Sequence, residues 1–158
     1  MHTIPAGLTF LRKLLPPCTF FALLLCAQPA SAALGEDESS VAADQARFLA
    51  SARILRAERY TLHELQATTG TKVREYLGSD GKVFAVSWQG PFRPDLRQLL
   101  GTYYQTYLKA AGPRAARGPI NIRLPGLVIH MSGHQRAFYG RVYLADRVPQ
   151  GLSTDEIR

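Results

Sequence analysis

Two groups of short extended runs, cut by glycine turns and separated by one helical stretch, restrict this chain to a mixed architecture with antiparallel pairing. Residues 60–67, 71–77 and 82–88 make the first group, punctuated by Thr69-Gly70 and Ser79-Asp80-Gly81. Residues 120–124, 127–132 and 135–144 make the second, with Pro125-Gly126 and Ser132-Gly133-His134 between them. Connections this short leave no room for a crossover, so neighbouring runs pair antiparallel. In the third run Phe84, Val86 and Trp88 alternate with Val83, Ala85 and Ser87, the period of a strand buried mainly on one side.

Between the groups, Leu96, Leu99, Leu100, Tyr103 and Tyr107 recur at the spacing of one helical face and predict a helix over residues 94–111. Pro94 and Asp95 suit its first turn, where a missing amide costs nothing and a carboxylate meets the positive end of the macrodipole. Gly112-Pro113 stops it, and a basic loop over 114–118 follows. An earlier helix is expected over residues 41–55, capped by Ser39 or Ser40, with Val41, Phe48 and Leu49 among its apolar positions. The order is α-β-β-β-α-β-β-β. This is an α+β domain whose antiparallel sheet packs one face on helices and leaves the other partly exposed. The order suggests a duplicated unit, although no residue-level repeat accompanies it. Residues 148–158 are polar and are expected to lie along the surface as a tail.

The first 32 residues have the three parts of a cleavable signal peptide. Arg12 and Lys13 supply the positive region, Phe20-Phe21-Ala22-Leu23-Leu24-Leu25 the apolar core, and Ala30-Ser31-Ala32 the cleavage site. A retained membrane anchor is disfavoured because Pro16 and Pro17 interrupt the apolar run, leaving it short of the roughly 30 Å a span requires. Lipid attachment at Cys26 is disfavoured as well, since Leu25 stands where a small residue is needed. Export to the periplasm is expected, with release from the cell as an alternative.

Both cysteines, Cys18 and Cys26, lie in the segment that export removes. The 126 residues from Ala33 therefore form one exported domain without disulfides, held by its own hydrophobic core. Cysteine nucleophiles, thiolate metal sites and redox pairs are excluded from it. Its net charge is +5, from 17 Lys and Arg against 12 Asp and Glu, and the basic residues are scattered with no dense run. Nucleic acid is accordingly not an expected partner, and contact with the membrane is limited to the signal peptide during export. The acidic start, Glu36-Asp37-Glu38, either stays flexible or leads into the first helix.

Several groups of residues together carry a resemblance. They are Val73-Arg74-Glu75-Tyr76, Gly81-Lys82-Val83-Phe84-Ala85-Val86, Trp88-Gln89-Gly90-Pro91, Pro94-Asp95-Leu96-Arg97-Gln98-Leu99-Leu100-Gly101 with a following tyrosine, Gly133-His134, Arg136-Ala137-Phe138 and Gly140-Arg141. In this combination the chain resembles a family of small bacterial exported proteins known only as a domain of unknown function. The resemblance covers residues 34–158. It implies export and a single domain, and it carries no activity, ligand or catalytic residue.

Chemistry must then be sought in the residues themselves. His63-Glu64-Leu65-Gln66-Ala67 begins like a zinc-protease helix, but Ala67 stands where the second histidine belongs and the segment reads as a strand. Adjacent strand side chains point to opposite faces, so His63 is expected to be a solvated strand residue. His130 and His134 are candidates for a metal pair if the chain turns at Ser132-Gly133, although no third ligand is visible. Glu64, Glu75, Asp80, Asp95 and Asp146 are all explained as strand, turn or helix-start residues. No Gly-x-Ser-x-Gly motif and no phosphate-binding glycine loop is present, and no cofactor is expected. Ser87-Trp88-Gln89-Gly90-Pro91 reads as a structural corner in which Gly90 takes backbone angles closed to other residues.

Binding features are better represented. Trp88, Phe92, Tyr139 and Tyr143 alternate with Arg93, Arg136 and Arg141. Within the last strand Tyr139, Arg141 and Tyr143 share a face opposite Phe138, Val142 and Leu144, so an exposed Tyr-Arg-Tyr stripe is the expected contact surface. The sequence thus points to a non-catalytic binding or interaction module of the cell envelope, with an envelope protein or polymer as partner. Two alternatives stand beside it: a periplasmic hydrolase or metal-binding protein using His130 and His134, and a binder of anionic envelope polymer.

Overall fold

The structure is a computed structural model that describes residues 34–113 and 118–158. The expected signal peptide and most of the basic loop lie outside the described residues. The chain runs through α1 (Glu38–Arg47), β1 (Ser51–Arg56), β2 (Thr61–Gln66), β3 (Lys72–Leu77) and β4 (Val83–Gly90). It continues through α2 (Leu96–Leu100), a 3-10 turn (Gly101–Tyr103), α3 (Tyr104–Ala111), β5 (Ile120–Leu124), β6 (Leu127–His134) and β7 (Ala137–Tyr143). All seven strands belong to one antiparallel sheet in the order β1-β2-β3-β4-β7-β6-β5. The fold is α+β as expected, with one strand more than the sequence indicated.

That additional strand corrects the first helix. Asp37, not Ser39 or Ser40, is the cap, and its carboxylate accepts from the Ser39 amide at 3.0 Å. The helix ends at Arg47, and Leu49 then turns the chain with a φ of +48°. Residues 51–56 fold back as an edge strand because the Ala57–Tyr60 turn lays them along β2, whose backbone groups need partners. The acidic start does not stay loose. Gly35 and Glu36 exchange backbone hydrogen bonds with Val83, both at 2.8 Å, and lead directly into α1.

The second helix also differs from a single rod. Asp95 caps α2 by accepting from the Arg97 amide at 2.9 Å and the Gln98 amide at 3.3 Å. Gly101, with a φ of +49°, then breaks the helix, and the 3-10 turn redirects it into α3. Both segments cover one face of the sheet, where Leu99, Leu100 and Tyr107 meet Val86, Trp88, Ile129 and Val142 in the main core.

A β-bulge in β4 overturns the expected alternation. Tyr76 pairs with Ala85 but Leu77 pairs with Val83, so two residues of β4 oppose one of β3. Val83, Val86 and Trp88 consequently face the helices, while Phe84 and Ala85 face the other way. Trp88 lies across Gly140 on neighbouring β7, where an added Cβ would meet the indole ring at 2.1 Å. Gly90 is required by space as well, and not by unusual backbone angles: a Cβ there would sit 2.5 Å from the Thr71 Cα.

The face opposite the helices is not left open, which corrects the reading of residues 148–158 as a surface tail. Ile157 is fully buried against Tyr76, Phe84, Val128 and Tyr143. The Tyr76 hydroxyl donates to the Arg158 carbonyl and accepts from the Arg158 amide, both at 3.1 Å. Arg59 donates to the Gly151 carbonyl at 2.7 Å. The tail therefore seals a second, smaller core, and the sheet has a helix face and a tail face.

Candidate functional site

Strand register lines up a polar row across the tail face. Glu64 pairs with Arg74, Arg74 with Ser87, Ser87 with Arg141, Arg141 with His130, and His130 with Asn121. Directly opposed residues share a face, so these side chains form one continuous line. At its β2 end the charges are internally satisfied. Arg74 donates to Glu64 at 2.8 Å, and Lys72 lies 3.3 Å from the same carboxylate.

The β7-β6-β5 end is different. Arg141, His130 and Asn121, with Gln89, Ser132 and Tyr139, line a cleft of about 560 Å³ bordered by Ile157 and Arg158 of the tail. Among the described residues no aspartate or glutamate lines this cleft, whereas Arg141 and Arg158 do. Arg141 is held in place by donating to the Thr154 carbonyl at 2.8 Å, with the Asp155 carboxylate at 3.5 Å. Burial, reinforced by Arg141 and Arg123, holds the His130 imidazole below its ordinary pKa. It is therefore neutral at pH 7. Its Nε2 is buried without a hydrogen-bond partner among the described residues. The Tyr139 ring is more than half exposed beside it.

The expected Tyr-Arg-Tyr stripe is thus divided. Tyr139 and Arg141 line the cleft, but Tyr143 is only 7% exposed and is buried beneath the tail beside Ile157. The expected histidine pair is divided too. The hairpin turns at Gln135-Arg136 and not at Ser132-Gly133, because His134 pairs with Ala137 and Arg136 takes the positive φ of +66°. His130 and His134 therefore stand four residues apart on one strand, roughly 13 Å, too far to share an ion. Among the described residues no group of three or more His, Cys, Asp or Glu side chains could hold a metal.

A protein-family model described as "Protein of unknown function (DUF2844)" matches residues 30–157, most of the chain. The chain belongs to this family. No curated protein and no solved structure matches it.

Three cleft residues of this DUF2844 chain escaped the sequence reading: Gln89, Asn121 and Ser132. The usable signal was register. Asn121 sits between Ile120 and Ile122 at the outward position of an alternating strand, and Ser132 is in step with His130. Gln89 is opposite Tyr139, a pairing fixed by long-range contact alone.

The DUF2844 chain also contains a buried acidic pair between α1 and β3. Asp44 and Glu75 are fully inaccessible, Gln98 of α2 donates to Asp44, and Asp44 Oδ2 and both Glu75 oxygens have no partner among the described residues unless one of the two carboxyls is protonated and donates to the other. Burial pushes the Asp44 carboxyl up to about 6; Gln98 and Glu75 hydrogen bonds oppose the rise. Burial followed by the charge of Asp44 pushes Glu75 well above the ordinary carboxylate value. Beside them His63 is buried, not solvated as expected, with its Nε2 3.2 Å from Glu38. With neither carboxyl reaching solvent, this pair fastens α1 to the sheet and offers no substrate access.

Proposed function

We propose that the chain is exported and acts as a non-catalytic binding module of the cell envelope, holding an acidic, hydroxyl-rich polymer segment in the tail-face cleft. The observation that carries this reading is the convergence of Tyr139, Arg141 and His130 on one open cleft that no acidic side chain lines among the described residues, Asp155 lying behind Arg141 at 3.5 Å. Such a set has an aromatic platform for a sugar ring and a fixed guanidinium for a carboxylate or phosphate. Gln89, Asn121 and Ser132 add neutral donors and acceptors suited to hydroxyl groups. The apolar core and leader-like start of residues 1–32 support the exported location.

Calorimetric titration of the purified protein with polygalacturonate, and with dextran as the neutral control, tests this function. The acidic polymer is expected to bind and the neutral one to bind weakly or not at all. Affinity should fall as salt is raised through about 50 to 300 mM, because the partners attract as opposite charges. Tyr139→Ala should weaken binding about tenfold, equivalent to roughly 1.4 kcal/mol. Absence of binding, or binding indifferent to both salt and Tyr139, would refute the proposal. Chain cleavage of the bound polymer would instead favour the hydrolase alternative that relies on His130 or His134. N-terminal sequencing of protein recovered from the periplasm should begin at Ala33, and an intact Met1 would overturn the export reading.

A further inference from the structure

The sheet has two edge strands, and they are protected differently. β5 is bracketed by Pro119 and Pro125, carries Arg123, and lies against α3, devices that discourage addition of another strand. β1 contains no proline or glycine, its only charged residues are Arg53 and Arg56, and all six of its residues are exposed. Leu49, Ile54 and Leu55 are 73%, 51% and 36% exposed, three of the five large exposed hydrophobic residues among those described. Leu49 also adopts a left-handed backbone conformation that is unfavourable for leucine, while its side chain projects into solvent.

The backbone of β1 specifies which groups are free. Ala57 donates to the Tyr60 carbonyl at 2.9 Å and closes a two-residue hairpin with a hydrogen-bonded pair. Alternation along an antiparallel ladder then makes Leu55–Leu62 and Arg53–Glu64 the bonded pairs. It turns the N–H and C=O groups of Ala52, Ile54 and Arg56 outward.

We propose that β1 is a self-association edge, pairing antiparallel with β1 of a second copy about a two-fold axis through Ile54. In a sheet continued across a two-fold axis, outward groups must meet outward groups and like faces must match. Each allowed register is therefore centred on a residue. Centring on Ile54 engages Ala52, Ile54 and Arg56 of both copies, placing Ile54 against Ile54, Ala52 against Arg56 and Arg53 against Leu55. Each arginine then meets an uncharged residue, and the Arg53 stem covers Leu55. Centring on Arg53 sets two guanidinium groups directly opposite one another and leaves Arg56 unpaired. Centring on Leu55 keeps the arginines apart but sets Ala52 beyond the partner strand, so charge and hydrogen bonding together select Ile54, and the exposed Leu49 is drawn to the interface margin.

Sedimentation equilibrium on the purified protein tests the pairing, with amide hydrogen exchange measured on the same samples. A dimer is expected whose Ala52, Ile54 and Arg56 amides exchange at least tenfold more slowly than in dilute, monomeric protein. Ile54→Lys should raise the dimer dissociation constant at least tenfold without lowering the melting temperature of the monomer, because the residue is exposed. Leu49→Gly, which relieves the backbone conformation, should weaken the dimer while leaving the monomer folded. A chain that stays monomeric at high concentration overturns the proposal. So does a dimer in which those three amides remain unprotected, a result that needs no variant to fold.

Discussion

Glu75→Gln is expected to stabilise the protein at pH 8 and to change its stability little near pH 4. Asp44 rises from an ordinary 3.8 to about 6 on folding, and Glu75 rises well above 4.5, both chiefly through burial. Above pH 4 the folded chain therefore binds more protons at this pair than the unfolded chain does. Linkage then requires the contribution of the pair to fall as pH rises, through about 6 for Asp44 and further for Glu75. A tenfold gain in proton affinity on folding corresponds to about 1.4 kcal/mol, so the rise at Asp44 corresponds to about 3 kcal/mol in the parent, and the part of it due to burial remains in the variant.

Glutamine has nearly the shape of a protonated glutamate and supplies a permanent N–H to Asp44. It thus replaces the shared proton without the liability of losing it. His63 and His130 are held below the ordinary imidazole value, chiefly by burial, and their contributions are lost as pH falls from about 6.5 towards their folded values. Because both remain in the variant, they cancel when parent and variant are compared at each pH. Urea unfolding at pH 4, 6 and 8 measures the difference. A gap that does not widen with pH would show that the two carboxyls hold no shared proton.

Gly140→Ala is expected to destabilise the fold by about 3 kcal/mol. The new methyl would lie 2.1, 2.5 and 2.7 Å from three carbons of the Trp88 indole. Trp88 is itself buried between the sheet and the helices and cannot swing away without emptying the main core. Tyr139→Ser, at the neighbouring exposed position, should cost far less, since only the helix-face position meets the ring. Thermal and urea unfolding give the size of the effect. Combining Gly140→Ala with Trp88→Leu should recover part of the loss, because the two changes touch the same space and are not additive. A Gly140→Ala protein within about 0.5 kcal/mol of the parent would contradict the packing of Trp88 on Gly140.

The two substitutions probe features that differ in how far the sequence reveals them. Trp88 was legible as a core aromatic from its strand period, yet nothing local identified Gly140 as its cross-strand neighbour. Glu75 reads as an ordinary strand residue, and nothing local marks Asp44 within the first helix. Their unusual chemistry exists only because the 30 residues of chain between them fold back.

Much of the architecture was set by local sequence. Gly70, Gly81 and Gly126 take positive φ angles at the expected turns, Asp95 caps the second helical segment, and alternating apolar residues mark the strands. These signals survive in the sequence because backbone geometry and one-sided burial act over a few residues. β1 left no such signal, since a strand exposed on both faces has no alternation, and Ile54-Leu55 reads equally well as helix. The bulge in β4, the turn at Gln135-Arg136 and the burial of Ile157 were likewise decided by tertiary structure. Each depends on which distant surface is available: β3 across from Phe84-Ala85, β7 across from His134, and the apolar tail face beneath Ile157. The cleft follows the same rule. Tyr139 and Arg141 were readable as strand neighbours, but only strand order brought Gln89, His130 and Asn121 to them, while the tail withdrew Tyr143.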